Sequence, residues 1–255
     1  MMNKIVLITG ATSGIGYHCA IEFARLGYNL IITGRRKERL QNIENELKES
    51  YNVEVIALNF DVRNKEETDN NLNSLPSEWK NNIDILVNNA GLAAGKEPLF
   101  EGDYRDWDQM IDTNIKGLLY VSRVVLPWFK ERMKGHVINI CSIAGKETYQ
   151  SGAVYCASKS AVNSISEGIR MDCNPYNIKV TNICPGAVDT EFSYVRFKGN
   201  KQKIEQTYQG YKPLTGEDIA KTIVYCATLP EHVSINDLVI TPTAQASATI
   251  FNRKN

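Results

Sequence analysis

The sequence predicts an α/β domain, doubly wound around a mostly parallel seven-stranded sheet with helices on both faces. Three observations lead there. Seven short runs rich in β-branched residues recur along the 255 residues. Longer segments with helical apolar spacing separate most of them, and a glycine-rich turn follows the first run directly. Strands covered on both faces read as continuous apolar runs, and their alternation with helices gives parallel strands joined by right-handed crossovers.

Strands are expected at 4–9, 29–33, 53–58, 83–88, 136–140, 179–184 and 238–241. The interiors Ile5-Val6-Leu7-Ile8 and Ile85-Leu86-Val87 show no polar alternation, as a buried strand requires. Helices are expected at 14–26, 37–49, 104–134, 154–172 and 215–228. No repeat or Pro/Gly/Ser-rich linker divides the chain, so residues 1–255 read as one domain. The stretch 189–214 is polar and aromatic without a strand pattern, and its place after a strand end suits a substrate lid. A C-terminal tail follows from about 242 to 255.

Lysine plus arginine and aspartate plus glutamate each total 29, so the formal charge is zero. That balance offers no attraction to nucleic acid or an anionic membrane. The apolar run 5–8 is too short for a signal-peptide core, and 117–129 is interrupted by Ser122, Arg123 and Pro127, which excludes a membrane span there. The six cysteines include no Cys-x-x-Cys, and no histidines stand at metal-ligand spacing. A reduced, cytoplasmic protein without a metal is expected.

After the first strand the chain reads Thr9-Gly10-Ala11-Thr12-Ser13-Gly14-Ile15-Gly16. Glycines let the backbone turn sharply and approach a pyrophosphate, and the helix that follows points its unpaired N–H groups at the anion. This is a Rossmann-type arrangement, with the spacing Gly-x-x-x-Gly-x-Gly in place of the commoner Gly-x-Gly-x-x-Gly. The second strand ends in Arg35-Arg36, and no acid appears before Glu38. A carboxylate here would accept from a ribose 2′-hydroxyl, whereas two guanidiniums pair with a 2′-phosphate. NADP is therefore the expected cofactor.

Tyr155 and Lys159, four apart in an expected helix, share one face. A free phenol titrates near pH 10, too high for a general base at neutrality. A neighbouring ammonium favours its ionised form.

The glycine turn, Asn88-Asn89-Ala90-Gly91, Asn114 in Asn-x-x-Gly, Ser142, Tyr155/Lys159 and Pro185-Gly186 fall in one order. Together they resemble the short-chain dehydrogenase/reductase family over nearly the whole chain. The resemblance implies that Ser142 hydrogen-bonds the substrate oxygen and Tyr155 gives or takes its proton. Lys159 would hold the nicotinamide ribose, and Asn114 a relay water. Asp61-Val62 would contact adenine, Asn88 to Gly91 would lie under the ribose, and Pro185, Gly186, Val188 and Thr190 would close over the nicotinamide.

The segments 84–98, 107–117 and 190–199, with the tail from His232, resemble the NADP-dependent 3-hydroxy acid dehydrogenase branch. That branch implies serine, L-allo-threonine or 3-hydroxypropionate/malonic semialdehyde as substrate. Arg196 is the candidate grip for a substrate carboxylate, because guanidinium binds carboxylate through two hydrogen bonds. Tyr149 and Gln150 are candidate pocket residues. Family resemblance also implies a homotetramer, and the small residues Ala157, Ala161 and Gly168 would permit close helix packing. A carbonyl reductase acting on another ketone or aldehyde stays open as an alternative, as does a non-catalytic NADP-binding regulator.

Overall fold

The computed structural model describes residues 4–254. Its strands are β1 (Ile5–Ile8), β2 (Asn29–Gly34), β3 (Val55–Asn59), β4 (Ile83–Asn88), β5 (Gly135–Ile140), β6 (Ile178–Pro185), β7 (Val188–Asp189), β8 (Leu214–Thr215) and β9 (Asp237–Ile240). Seven of them form one sheet in the order β3-β2-β1-β4-β5-β6-β9, with every neighbouring pair parallel. The seven expected strands are all present, and their ends move by no more than two residues.

Successive side chains of β1 point to opposite faces, and this splits the core in two. Val6 and Ile8 join Leu30 and Ile32 under α1 (Gly14–Arg25), α2 (Lys37–Tyr51) and α10 (Gly216–Thr228), which contribute Phe23, Leu47 and Ile223. Ile5 and Leu7 face the other way. They pack with Leu72 of α3 (Lys65–Asn73), Phe129 of α6 (Leu118–Glu131) and Ile169 of α7 (Ala153–Cys173). Helix α10 starts at a capping box, in which Thr215 Oγ1 accepts from the Asp218 amide at 3.2 Å and the Asp218 carboxylate accepts from the Thr215 amide at 2.8 Å.

Three expectations need correction. The helix expected over 104–134 is α5 (Tyr104–Ile111) and α6 joined through a π-helical turn, Asp112–Gly117. Gly117 sits where a Cβ would come within 2.8 Å of Val62, so the missing side chain lets this segment lie close to the end of β3. Helices α3 and α4 (Ser77–Lys80) lie in a stretch with no expected element. Only Thr68 and Leu72 of α3 are buried, which leaves no apolar period to read. The segment 189–214 is more ordered than its sequence pattern indicates. It carries α8 (Glu191–Arg196) and α9 (Lys201–Tyr208), closed at the base by the parallel pair β7/β8.

A polar seam crosses the middle of the sheet. Asn88, Asn139 and Asn182 stand in register on β4, β5 and β6, all at least 96% buried. Asn88 Nδ2 donates to Asn139 Oδ1 at 2.9 Å and to Ser122 Oγ at 3.1 Å, and Asn139 Nδ2 donates to Ser166 Oγ at 2.9 Å. Ser166 Oγ in turn donates to the Val162 carbonyl at 2.7 Å and lies 3.4 Å from Asn182 Oδ1. Among the described residues no helix is long and apolar enough to cross a membrane, and no His/Cys/Asp/Glu group is arranged to hold a metal.

Nearby on β5, His136 is buried, with Nε2 2.8 Å from Thr181 Oγ1 and Nδ1 unpartnered. Burial lowers its pKa to about 3, so it stays neutral in the fold but takes up a proton near pH 6.5 once unfolded. Its contribution to stability is complete above about pH 6.5 and is lost as pH falls toward 3. About 2 kcal/mol should be gone by pH 5, above the range where carboxylates titrate. Thermal unfolding between pH 7 and 4.5 should show this acid slope, and His136→Gln should flatten it; an unchanged slope would count against the assignment.

Candidate active site

Strand order reverses between β1 and β4, and a cleft of about 330 Å³ opens past the carboxyl ends of the strands at that point. Its floor is the turn after β1. Gly10 has φ +68°, and a Cβ there would come within 2.9 Å of the Ala90 backbone. Gly14 has φ +54° and faces Thr190, with a Cβ 3.2 Å from that side chain. Gly10, Thr12, Ser13, Gly14 and Ile15 line the cleft. Gly16 does not; it lets the first turn of α1 pack on the Gly10 carbonyl and the Asn89 amide. Ser13 is the N-cap of α1 but makes no side-chain cap bond, so the first-turn amides are left for an anion.

Arg35 and Arg36 both border the cleft. Arg36 is the better fixed: it donates to Thr12 Oγ1 through Nε and Nη2 at 3.1 and 2.9 Å, and to Ser13 Oγ through Nη2 at 2.7 Å. Its Nη1 meets Glu191 at 2.6 Å, and Arg39 meets the other Glu191 oxygen at 2.5 Å. Neither Arg39 nor Glu191 was expected from the sequence. Arg39 lies three residues after Arg36 in the first turn of α2, and that spacing was the readable signal. Asp61 and Val62 form part of the wall. Burial raises the Asp61 carboxyl, but the Arg63 hydrogen bonds and the charges of Arg63 and Arg35 outweigh that and hold it below the usual carboxylate range. Two further wall residues, Thr33 and Thr113, have buried hydroxyls without a protein partner, as suits a polar ligand.

Of the pair at the end of β4, Asn89 lines the cleft with Ala90 and Gly91. Asn88, the expected cofactor contact, turns its side chain into the polar seam instead. Period two decides this: consecutive residues at a strand end face opposite ways. Asn114 sits in the π-helical turn, donating to the Leu92 carbonyl and accepting from the Leu92 amide, both at 2.9 Å. Its second donor contact is Ser158 Oγ at 3.0 Å, so its side chain serves to anchor the loop beside the cleft.

The expected catalytic residues converge. Tyr155 and Lys159 lie one turn apart on α7, with Nζ 6.0 Å from the phenol ring centre. Lys159 is buried, and Nζ donates to the Ile140 carbonyl at 2.9 Å. Burial lowers its pKa. Burial likewise raises the Tyr155 phenol, with the Tyr149 phenol adding to the effect, against the Ser142 hydrogen bond and the Arg196 charge. Ser142 lines the cleft, with its Oγ accepting from the Ala144 amide at 3.1 Å. Pro185, Gly186, Val188 and Thr190 form the opposite lip, held from behind by Gln245, whose Oε1 accepts from the Ala187 amide at 2.8 Å.

Arg196 reaches Tyr155 from α8, with its guanidinium carbon 5.6 Å from the Tyr155 ring centre. Nη2 donates to the Tyr149 hydroxyl at 2.9 Å, while Nε is buried with no partner. No acid among the described residues pairs with it. Phe192 of the same helix meets Tyr155 edge-on, with ring centres 5.7 Å apart. Arg196 lines a small neighbouring pocket that shares Tyr155 with the cleft, and does not line the cleft itself; Gln150 is exposed and lines neither.

Comparison with known proteins gives a consistent result. The short chain dehydrogenase family model matches residues 4–201. The NADP-dependent 3-hydroxy acid dehydrogenase YdfG of Escherichia coli (strain K12) is 48% identical over 245 residues, spanning 96% of this chain and 97% of that protein. The NADP-dependent 3-hydroxy acid dehydrogenase of Schizosaccharomyces pombe is 40% identical over 253 residues, 99% of this chain and 97% of that protein. A solved closed form of serine dehydrogenase complexed with NADP+ superposes with a TM-score of 0.90 at 47% identity, covering 98% of this chain and all of that one. With its parallel sheet, glycine turn and Ser142/Tyr155/Lys159 cluster, this chain belongs to the short-chain dehydrogenase family.

Proposed function

We propose that this protein is an NADP-dependent oxidoreductase acting at the hydroxyl-bearing carbon of a small 3-hydroxy acid such as serine, L-allo-threonine or 3-hydroxypropionate. The observation that carries the substrate class is Arg196, half-buried beside Tyr155, with a buried and unpartnered Nε and no acid paired with it among the described residues. A buried donor left unmatched is costly, and a carboxylate two carbons from the reacting hydroxyl would satisfy it. The similarity to 3-hydroxy acid and serine dehydrogenases supports the same reading.

The residues present fit NADP. Gly10 and Gly14 keep the turn open to a diphosphate, the first-turn amides of α1 face it, and Arg36 with Arg39 supplies a seat for a 2′-phosphate. NADP supplies the hydride donor for reduction and, oxidised, the acceptor for alcohol oxidation. The Ser142 hydroxyl hydrogen-bonds the substrate oxygen and Tyr155 carries its proton. Lys159, fixed by the Ile140 carbonyl, places positive charge near the phenol and favours its ionised form as the proton leaves. Asn114 holds Leu92 in place, and the 189–214 segment, bringing Phe192 and Arg196 to Tyr155, acts as a lid that excludes water.

The protein is further proposed to act as a homotetramer in a reducing cytoplasm. The outer side of α5 to α7 carries exposed Ile111, Leu119 and Met171, and Gly168 offers a surface with nothing within 4 Å of its Cβ position. All six cysteines are free. A monomeric mass in sedimentation would overturn the assembly.

Tyr155→Phe should retain NADPH binding and lose turnover by at least about a hundredfold; activity near that of the unaltered protein would require another proton carrier. Turnover of serine, L-allo-threonine and 3-hydroxypropionate should be faster with NADP+ than with NAD+. Arg196→Met should raise KM for these acids about tenfold or more while leaving an uncharged alcohol unaffected. Unchanged KM for the acids would remove Arg196 from the substrate site.

A further inference from the structure

We propose that Glu191, at the start of the lid, is an internal counter-anion occupying the seat of the 2′-phosphate, and that the two exchange on Arg36 and Arg39. The proposal rests on the NADP reading and extends it: Glu191 becomes a residue that sets cofactor selectivity and ties cofactor binding to the position of the lid.

Each Glu191 oxygen takes one guanidinium, at 2.6 Å from Arg36 and 2.5 Å from Arg39. Arg36 is at the same time pinned to the phosphate-binding turn through Thr12 and Ser13, so its guanidinium is already aimed at the cofactor cleft. The other acid in the cleft wall, Asp61, is engaged by Arg63 and stands 3.7 Å from Arg35. The Arg36, Arg39 and Glu191 side chains are 41%, 51% and 44% exposed. Ion pairs this open contribute little and exchange readily. A phosphate monoester carries a charge of about −1.5 to −2 with three acceptor oxygens, against −1 and two for a carboxylate, so it competes well for the same donors.

The position of Glu191 gives the exchange a consequence. It is the first residue of α8, capped by Thr190, which in turn packs against Gly14 of the phosphate-binding turn. The next residue, Phe192, lies against Tyr155, and Arg196 is one turn further on. Releasing Glu191 frees the lid from α2 at the same end that carries both pocket residues. A dinucleotide without the 2′-phosphate has nothing with which to displace it.

The test uses the full chain and its Glu191→Gln variant. NADPH and NADH affinities would be measured by fluorescence, and hydrogen exchange of residues 190–197 followed with adenosine 2′,5′-bisphosphate or adenosine 5′-monophosphate. Glu191→Gln should tighten NADPH by about threefold to tenfold and NADH much less. The bisphosphate should raise exchange in 190–197 of the unaltered protein, the monophosphate should not, and the variant should start high and change little. Weaker NADPH binding in the variant, or no effect of the bisphosphate on exchange, would overturn the exchange. If the unaltered protein binds NADPH no better than NADH, the NADP reading itself fails.

Discussion

Coverage on both faces is the constraint from which the site follows. Every residue of β1, β2 and β5 is buried, so these strands have no solvent face on which a polar side chain could stand without cost. Chemistry is confined to the carboxyl ends, where the backbone leaves the sheet and hydrogen-bonding groups become free. Gly10, Arg35, Asn89, Cys141 and Pro185 all lie at or within a residue or two of a strand end, and all border the same cleft. Lys159 obeys the same logic from the helical side. Its buried ammonium finds its hydrogen bond in the carbonyl of Ile140, the last residue of β5.

Net charge and local charge carry different information in this protein. The chain balances to zero overall, yet the cleft and its edge collect Arg35, Arg36, Arg39 and Lys159, and Arg196 stands in the small pocket on the other side of Tyr155. A neutral total removes long-range steering of polyanions, while these local cations define positions for small anions at the Arg36 end of the cleft and beside Tyr155. The acids they meet, Asp61 and Glu191, keep their charge: burial raises both carboxyls, and the neighbouring arginines lower them by more.

Much of this was legible in the sequence because the strongest signals are local. The apolar run of β1, the glycine turn and the Tyr155/Lys159 spacing each depend on residues adjacent along the chain. What stayed hidden depends on pairs brought together by folding. Asn88 and Asn89 are the same residue type at the same strand end, and only the pleat decides which one faces the cleft. Glu191 is 155 residues from Arg36, and no periodicity connects them. Helix α3 was missed for a different reason. With two buried residues it has almost no amphipathic signature, although Asn64, accepting from the Glu66 and Glu67 amides at 3.0 and 3.2 Å, is a good cap.

The asparagine seam gives the cleft a common datum line. Asn88, Asn139 and Asn182 occupy one rung across three strands, and Asn89, Ser142 and Pro185 follow that rung by one, three and three residues. Shifting one strand by a residue would strand buried amides as well as turn apolar side chains outward, a penalty of about 1–3 kcal/mol for each lost partner. The distance from rung to reacting group is therefore counted in residues and cannot drift. Length changes in this protein can accumulate in the connections between the strands and helices, but one placed between rung and cleft would carry Asn89, Ser142 or Pro185 out of line with Tyr155, which α7 brings in separately.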